Sequence, residues 1–441
     1  MNIYNKIALL MLMQSLSPAL VADITRANVC SNGFENLVAE LNIIESILEV
    51  PAEVSPCAAT IITQADVDMD GQLNINNSGN YCLSSDIAGA ININVSNVTL
   101  NLNSFNVAVS INILSGAINI NASNVIIKNG SVTNSYFGVT IGGDNVTITD
   151  LIVTGCLNCG IATDNPVNYL LIKNVMCNGN GIQASFGNGG GGANLNCINS
   201  RIENCTFNNN LYNSGLQLNG TNTIIRNCTA SNNLNKRLNV PFPDGFNLTD
   251  SGGLYCENCV ANGNGGGSCP NDCTTVSQGN GFTIANTNSC VMENCSAMNN
   301  HGIGFLGVNT GSLTPASTIA GGVLHNCIAN NNGTADVAGQ TDGFKLIGNN
   351  MIIRHCTAEN NVHGHGFNQG GMPGAGQYYD NVACGNKPSS NYDPSIATHS
   401  PGGVVGVGSG FFAGYNLDCS ACPFSCLDSL DGTCTDFAYE C

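Results

Sequence analysis

Charge is scarce in this chain of 441 residues: only 9% are Asp, Glu, Lys or Arg, and there is no tryptophan. A surface so poor in charge draws its solubility from neutral groups, and asparagine amides recur throughout. Cations are the scarcest class. Lys and Arg number 11 against 29 Asp and Glu, a formal net charge of −18. Such a chain repels phosphate backbones, which argues against nucleic acid as a partner. No basic amphipathic stretch is present, which argues against an anionic membrane surface. Beyond the N-terminus, no segment holds the roughly 18 consecutive apolar residues of a membrane-crossing helix. The C-terminal end lacks the alternating strands of a membrane barrel. Neutral or cationic glycans, or a metal cation, fit the charge better. The apolar fraction of 43% is ordinary, so a sizeable core can form and disorder is not implied.

What the chain has in abundance is Gly (53), Cys (23) and Asn. Lys6 and the short apolar run at 7–13 read as a secretory signal peptide over residues 1–22. Cysteines behind such a leader suggest an oxidising, secreted or cell-surface location. Their odd number leaves at least one thiol free or paired between chains. Residues 23–72 read as an N-terminal capping segment. Leu37, Val38, Leu41, Ile44, Ile47 and Leu48 have helical spacing, and a helix over 34–48 would cover an open sheet edge. Cys30 and Cys57 flank it and are candidates for a bridge. Residues 416–441, with Cys419, Cys422, Cys426, Cys434 and Cys441, read as a Cys-rich C-terminal cap. In a secreted chain disulfides are favoured there over zinc.

Between these ends lies a repeat. Aligned on Asn222-Thr-Ile-Ile-Arg-Asn-Cys228, one column runs Leu100, Ile127, Ile148, Ile172, Ile202, Ile225, Cys256, Met292, Leu324, Ile353, Tyr379. Two residues on come Leu102, Asn129, Asp150, Asn174, Asn204, Asn227, Asn258, Asn294, Asn326, His355, Asn381. The next column ends in Cys205, Cys228, Cys259, Cys295, Cys327, Cys356, Val382, and two further on are Cys177, Phe207, Ala230, Ala261, Ala297, Ala329, Ala358 and Cys384. The repeat varies from 21 to 36 residues. A variable period fits stacked coils of fixed cross-section that place insertions in loops. The in–out alternation changes phase at the Asn column, which demands a tight bend. Asn tolerates the left-handed conformation of such a bend, and stacked Asn side chains can hydrogen-bond from coil to coil. The Cys column is read as small buried thiols in preference to vertical disulfides, and Cys269 and Cys273 as a local bridge.

These features resemble the pectate-lyase-like right-handed parallel β-helix superfamily. The opening run Ser78-Gly-Asn-Tyr-Cys-Leu-Ser-Ser-Asp-Ile87, then Ile91-Asn-Ile and Asn97-Val-Thr-Leu-Asn-Leu-Asn103, is similar to the way many such proteins begin. The resemblance implies an all-β, single-stranded right-handed parallel β-helix solenoid over residues 73–415. It implies little about function, because the superfamily includes lyases, hydrolases, epimerases, adhesins and scaffolds. His363-Gly-His365-Gly resembles the Gly-His-Gly element of polygalacturonases, but that family's Asn-Thr-Asp, paired Asp and Arg-Ile-Lys elements are missing. Arg201, Arg226 and Arg354 adjoin the Asn column without the Asp cluster of a pectate lyase.

A second column bears on function. It reads Asp244-Gly-Phe, Asn280-Gly-Phe, His301-Gly-Ile, Asp342-Gly-Phe and His365-Gly-Phe. His301, Asp342 and His365 are candidate catalytic groups, since His beside a carboxylate suits proton transfer. Asp244 and Asn280 are candidate substrate-binding groups. Asp244 and Asp342, about three rungs or roughly 14 Å apart, are too distant for a glycosidase pair. The alternative is that these steps merely make a turn into the next strand. Asp66, Asp68 and Asp70 open like a Ca²⁺ loop, but Asn77 occupies the twelfth position, where a bidentate acid is needed. Sequons include Asn94, Asn97, Asn121, Asn145, Asn219 and Asn332. The expected function is a secreted or cell-surface β-helix that binds polysaccharide or surface glycan. The alternative is a polysaccharide-modifying lyase, hydrolase or epimerase working at the Asp/His column.

Overall fold

Left-handed asparagines set the corners of every coil. The computed structural model describes residues 59–109, 116–182, 191–234, 243–266, 279–285, 289–308, 319–333, 341–346, 348–362, 364–368, 377–386 and 417–418. They belong to one compact unit that starts at Ala59. Nearly all regular structure in them is parallel β, with one 3₁₀ turn at Gln64–Asp66. The fold is a parallel β-helix. Parallel pairing begins at Thr60–Ile62, which pairs with Gly79–Leu83.

Each coil runs through three faces. The first carries strands such as Ile224–Arg226, Leu254–Glu257 and Cys290–Glu293, each in register with the next. The second carries three-residue strands such as Thr229–Ser231, Val260–Asn262 and Ser296–Met298. The third carries Leu216–Thr221, Phe246–Gly252, Phe282–Ala285, Phe305–Val308, Phe344–Leu346 and Phe367–Asn368. In early coils, strands Val125–Thr133 and Val146–Thr154 continue round the bend and serve both first and second faces. The chain returns to the same edge after each circuit, and such parallel crossovers are right-handed.

The core follows from side-chain size. Ala230, Ala261, Ala297, Ala329, Ala358 and Ala383 point inward from the second face and are fully buried. Opposite them Phe246, Phe282, Phe305, Phe344 and Phe367 form a parallel stack, with centroids 4.8–4.9 Å apart. That spacing is the distance between rungs, so each ring contacts its equivalent in the next coil. The Cys column is buried and free, as the reading of small thiols expects. The Cys205, Cys228 and Cys259 thiols donate to carbonyls two residues back at 3.1–3.3 Å.

The corner between first and second faces is the Asn column read in the sequence. Asn174, Asn204, Asn227, Asn258, Asn294 and Asn326 have φ of 51–55°. Their amides link coil to coil, as from Asn227 Nδ2 to Asn204 Oδ1 at 3.1 Å. Both ends of the alignment need correction. Asn103 and Ser104, not Leu102, turn the early corner, with φ of 50° and 68°. At the far end Ala358 pairs with Ala383, so Asp380 turns the corner and Asn381, not Val382, stands beside Cys356. The Cys356 N–H donates to Asn381 Oδ1 at 2.9 Å.

The corner between second and third faces holds a ladder the sequence reading did not anticipate. Asn180, Asn210, Asn233, Asn264, Asn300, Asn332 and Asn361 have no exposure at all. Each follows an Asn or Gly with positive φ, such as Asn299 or Gly263. Asn300 is representative. Its Oδ1 accepts from the Asn264 backbone N–H at 3.0 Å and from Asn264 Nδ2 at 2.9 Å. Its Nδ2 donates to Ala261 O at 3.1 Å and to Asn332 Oδ1 at 2.9 Å. Burial of Asn332 also removes it from the sequons open to glycosylation.

The signal peptide, the helix expected over 34–48, Cys30 and Cys57, the bridge expected between Cys269 and Cys273, and the cysteines of the C-terminal cap lie outside the described residues. Cys384 is disulfide-bonded. Among the described residues no helix is long and apolar enough to cross a membrane.

The two Asn columns should respond differently to substitution. Asn300→Ala removes four buried hydrogen bonds and should destabilise the chain by about 4 kcal/mol. Asn258→Gly keeps the left-handed corner and loses an exposed amide bond, so it should change stability by less than about 1 kcal/mol. Denaturant unfolding of both variants measures the difference.

Candidate functional site

The polar-Gly-Phe step lies where the buried Asn corner opens onto the third face, and packing dictates its glycine. A Cβ on Gly281 would sit 2.6 Å from Ala297 Cβ and 2.6 Å from Gly304 O. Gly245 and Gly343 are confined in the same way by Ala261 and Ala358. The recurrent Gly is therefore a structural demand of the pinched corner.

The residue before that Gly forms a true column, with one correction. Because Phe282 pairs with Phe305, the rung between Asn280 and Asp342 is occupied by Ile303, not His301. Five steps separate Asn300 from Phe305, against six from Asn361 to Phe367, so His301-Gly302 falls outside the register that Ile303-Gly304 fills. His301 instead follows the buried Asn directly. Its N–H donates to Asn264 O at 2.8 Å, and its ring lies over Gly266 of the preceding coil.

The other four residues fall into two adjacent pairs. Asp244 Oδ1 accepts the Asn280 N–H at 2.9 Å, and Asn280 Oδ1 accepts the Ile303 N–H at 2.9 Å. Asp342 Oδ1 accepts the His365 N–H at 2.7 Å, and its Oδ2 accepts from Asn368 Nδ2 at 2.9 Å. The column thus splices one coil to the next. Asp244 is deeply buried, which pushes its carboxyl up to about 7 despite the Asn280 and Thr283 hydrogen bonds. Burial also raises Asp342, countered by the His365 N–H, Asn368 and the nearby Lys345 charge. Lys345 is only 6% exposed, and burial lowers its pKa.

Lys345 and Asn368 continue an outward row across the third face. In register it reads Asn194, Gln217, Asn247, Thr283, Leu306, Lys345, Asn368. Towards the N-terminus the row is amide again. Asn92 Nδ2 donates to Asn74 Oδ1 at 3.1 Å, and Asn119 Nδ2 to Asn92 Oδ1 at 2.8 Å. A parallel exposed row links Asn121, Asn94 and Asn76 at 2.9 and 3.1 Å.

The acidic turn is committed elsewhere. Asp66 caps the 3₁₀ turn through the Thr63 N–H and hydroxyl, which hold its carboxyl low. Asp68 Oδ1 accepts from the Asp70 and Gln72 N–H groups. The structure does not gather Asp66, Asp68 and Asp70 into one ligand set.

One polar cluster is only partly legible in the sequence, where Arg226 and Arg354 adjoin the Asn column but the acids between them are passed over. The residue just before the left-handed Asn gives an outward column of Lys173, Glu203, Arg226, Glu257, Glu293, His325 and Arg354 on the first face. Arg226 Nε meets Glu257 at 2.8 Å, and Glu293 takes the Tyr255 hydroxyl at 3.0 Å and His325 Nδ1 at 3.3 Å. Burial and the Arg354 charge depress His325. The signal was available: this column is charged in coil after coil in a chain that is 9% charged.

No family model and no curated protein matches the chain. Among solved structures it is similar to pectate lyase Pel9A, at 16% identity with 74% of each chain covered and a TM-score of 0.36. It is also similar to the Dettilon tailspike protein, at 13% identity and a TM-score of 0.37, over 78% of this chain and 61% of that one. The A-module of mannuronan C-5 epimerase AlgE6 from Azotobacter vinelandii matches at 16% identity and a TM-score of 0.33, over 70% and 67%. Residue roles are not transferable at this distance. The fold rests on the strand register above.

Asp244 yields a pH test. Its folded pKa of about 7 exceeds the unfolded value of about 3.9. Between those values the folded chain holds a proton that the unfolded chain has released, so stability falls as pH rises through that window. Asp244→Asn keeps the acceptor and cannot ionise. It should flatten this fall and be more stable than the parent above pH 7, by at most about 4 kcal/mol. Urea unfolding of both chains from pH 4 to pH 8 measures it.

Proposed function

We propose that the chain is a secreted or cell-surface β-helix that binds glycan, with the third face as its contact surface. One observation carries this reading: the in-register row of partly exposed amides Asn194, Gln217 and Asn247, repeating at the rung spacing. Neutral amides both donate and accept, which suits sugar hydroxyls. An extended saccharide can meet the same chemistry at each rung. The scarcity of charge on the chain fits a neutral ligand.

A second reading rests on the Asp342, Lys345, His365 and Asn368 cluster. A raised carboxyl beside a lowered ammonium is suited to proton transfer on a polysaccharide. Binding is favoured over catalysis because both oxygens of Asp342 already accept hydrogen bonds that hold the coils.

Thermal shift with a panel of neutral and acidic oligosaccharides tests the reading, since a ligand of the native state raises the melting temperature. At least one should raise it, and Gln217→Ala with Asn247→Ala should weaken that ligand about tenfold, or about 1.4 kcal/mol. No shift across the panel contradicts the proposal. Turnover that Asp342→Asn abolishes while binding persists favours the second reading.

A further inference from the structure

The thiol column is regular except in one coil. Elsewhere the inward residue three before each column cysteine is aliphatic or Met: Ile225 before Cys228, Met292 before Cys295, Leu324 before Cys327. In the strand Leu254–Glu257 that residue is Cys256, which pairs in register with Ile225 on one side and Met292 on the other. Cys256 and Cys259 therefore straddle the left-handed Asn258 corner, and both side chains are fully buried. Cys295 stacks on Cys259 from the next coil. The Cys256, Cys259 and Cys295 sulfurs lie within 4.8 Å of one another, and this is the only such group of three ligands among the described residues. Cys295 Sγ and Cys256 Sγ are 3.7 Å apart.

These distances match a bound ion. A metal–sulfur bond of about 2.3 Å sets three coplanar sulfurs about 4.0 Å apart. We propose that Cys256, Cys259 and Cys295 form a buried three-sulfur site for a thiophilic monovalent ion of the Cu(I) class. Soft thiol ligands select Cu(I) and zinc over harder ions. Structural zinc takes four ligands, and three thiolates around it leave a net negative charge in an apolar core. One Cu(I) that displaces one thiol proton leaves the site neutral: one thiolate, two thiols and the ion. The proton goes to solvent, and no electron is transferred.

The test uses the full-length chain, reduced and loaded anaerobically with Cu(I) from a weak chelate, with the excess removed. Copper per chain is then measured for the parent and for Cys256→Val, Cys259→Ala and Cys356→Ala. Cysteines elsewhere in the chain bind copper equally in all four, so the difference between them is what counts. The parent and Cys356→Ala should hold one more copper than Cys256→Val and Cys259→Ala. Copper should raise the melting temperature of the first two more than that of the others. Val at position 256 matches the aliphatic residues of its column, so its copper-free melting temperature verifies folding. If Cys256→Val does not fold, Cys259→Ala decides. Equal copper in parent and folded variants overturns the proposal.

Discussion

The fold depends on a chain of buried amides. A parallel solenoid must turn three times per coil, and at each turn the backbone exposes donors and acceptors that the core cannot satisfy. A buried unpaired group costs about 1–3 kcal/mol. At the corner between second and third faces, one inward Asn per coil answers this need in both directions. It accepts from an N–H and donates to a carbonyl of the preceding coil, and donates to the next Asn on the other side. No other side chain of that size offers two donors and a separate acceptor from so short a stem.

The rest of the cross-section follows from that corner. The amide occupies the bend, and from Ala230 onward the second face places Ala beside it, against which the third face enters through Gly. The space left over is filled by stacked Phe rings. Where the corner opens onto the third face, the polar column closes the same gap from outside, with Asp244, Asn280 and Asp342 carrying backbone N–H groups of the next coil. This is why the most suggestive functional motif is also architectural. The glycan contact proposed above therefore falls on the outward row beside it.

Much of the scaffold was legible in the sequence. Left-handed Asn, buried thiols and inward Ala share a fixed spacing in adjacent coils, and the structure keeps them in those roles from Asn129 to His355. The alignment slipped at Leu102, where the two residues Asn103 and Ser104 make the corner, and at Asn381, where Asp380 makes it. The buried ladder was equally periodic: Asn210, Asn233, Asn264, Asn300, Asn332 and Asn361 each lie five residues after a column cysteine. It was overlooked because an Asn-Asn step looks like a polar loop, and nothing in polarity alone reveals an amide turned inward. His301 was misplaced for a related reason. His301-Gly302 and Ile303-Gly304 both resemble the step before Phe, and only strand register separates them. The charged column on the first face was legible only at Arg226 and Arg354, because a search for Asp passes over Glu.

The buried amides hold the coils in register. Hydrogen exchange at single-residue resolution tests it most directly. The backbone N–H groups of Asn264, Asn300 and Asn332 donate to the next Asn side chain in the core, so they should exchange only through global unfolding. They should be as protected as the N–H of Phe305 in the central strand. Exchange of these three through local opening, well ahead of Phe305, would contradict the account.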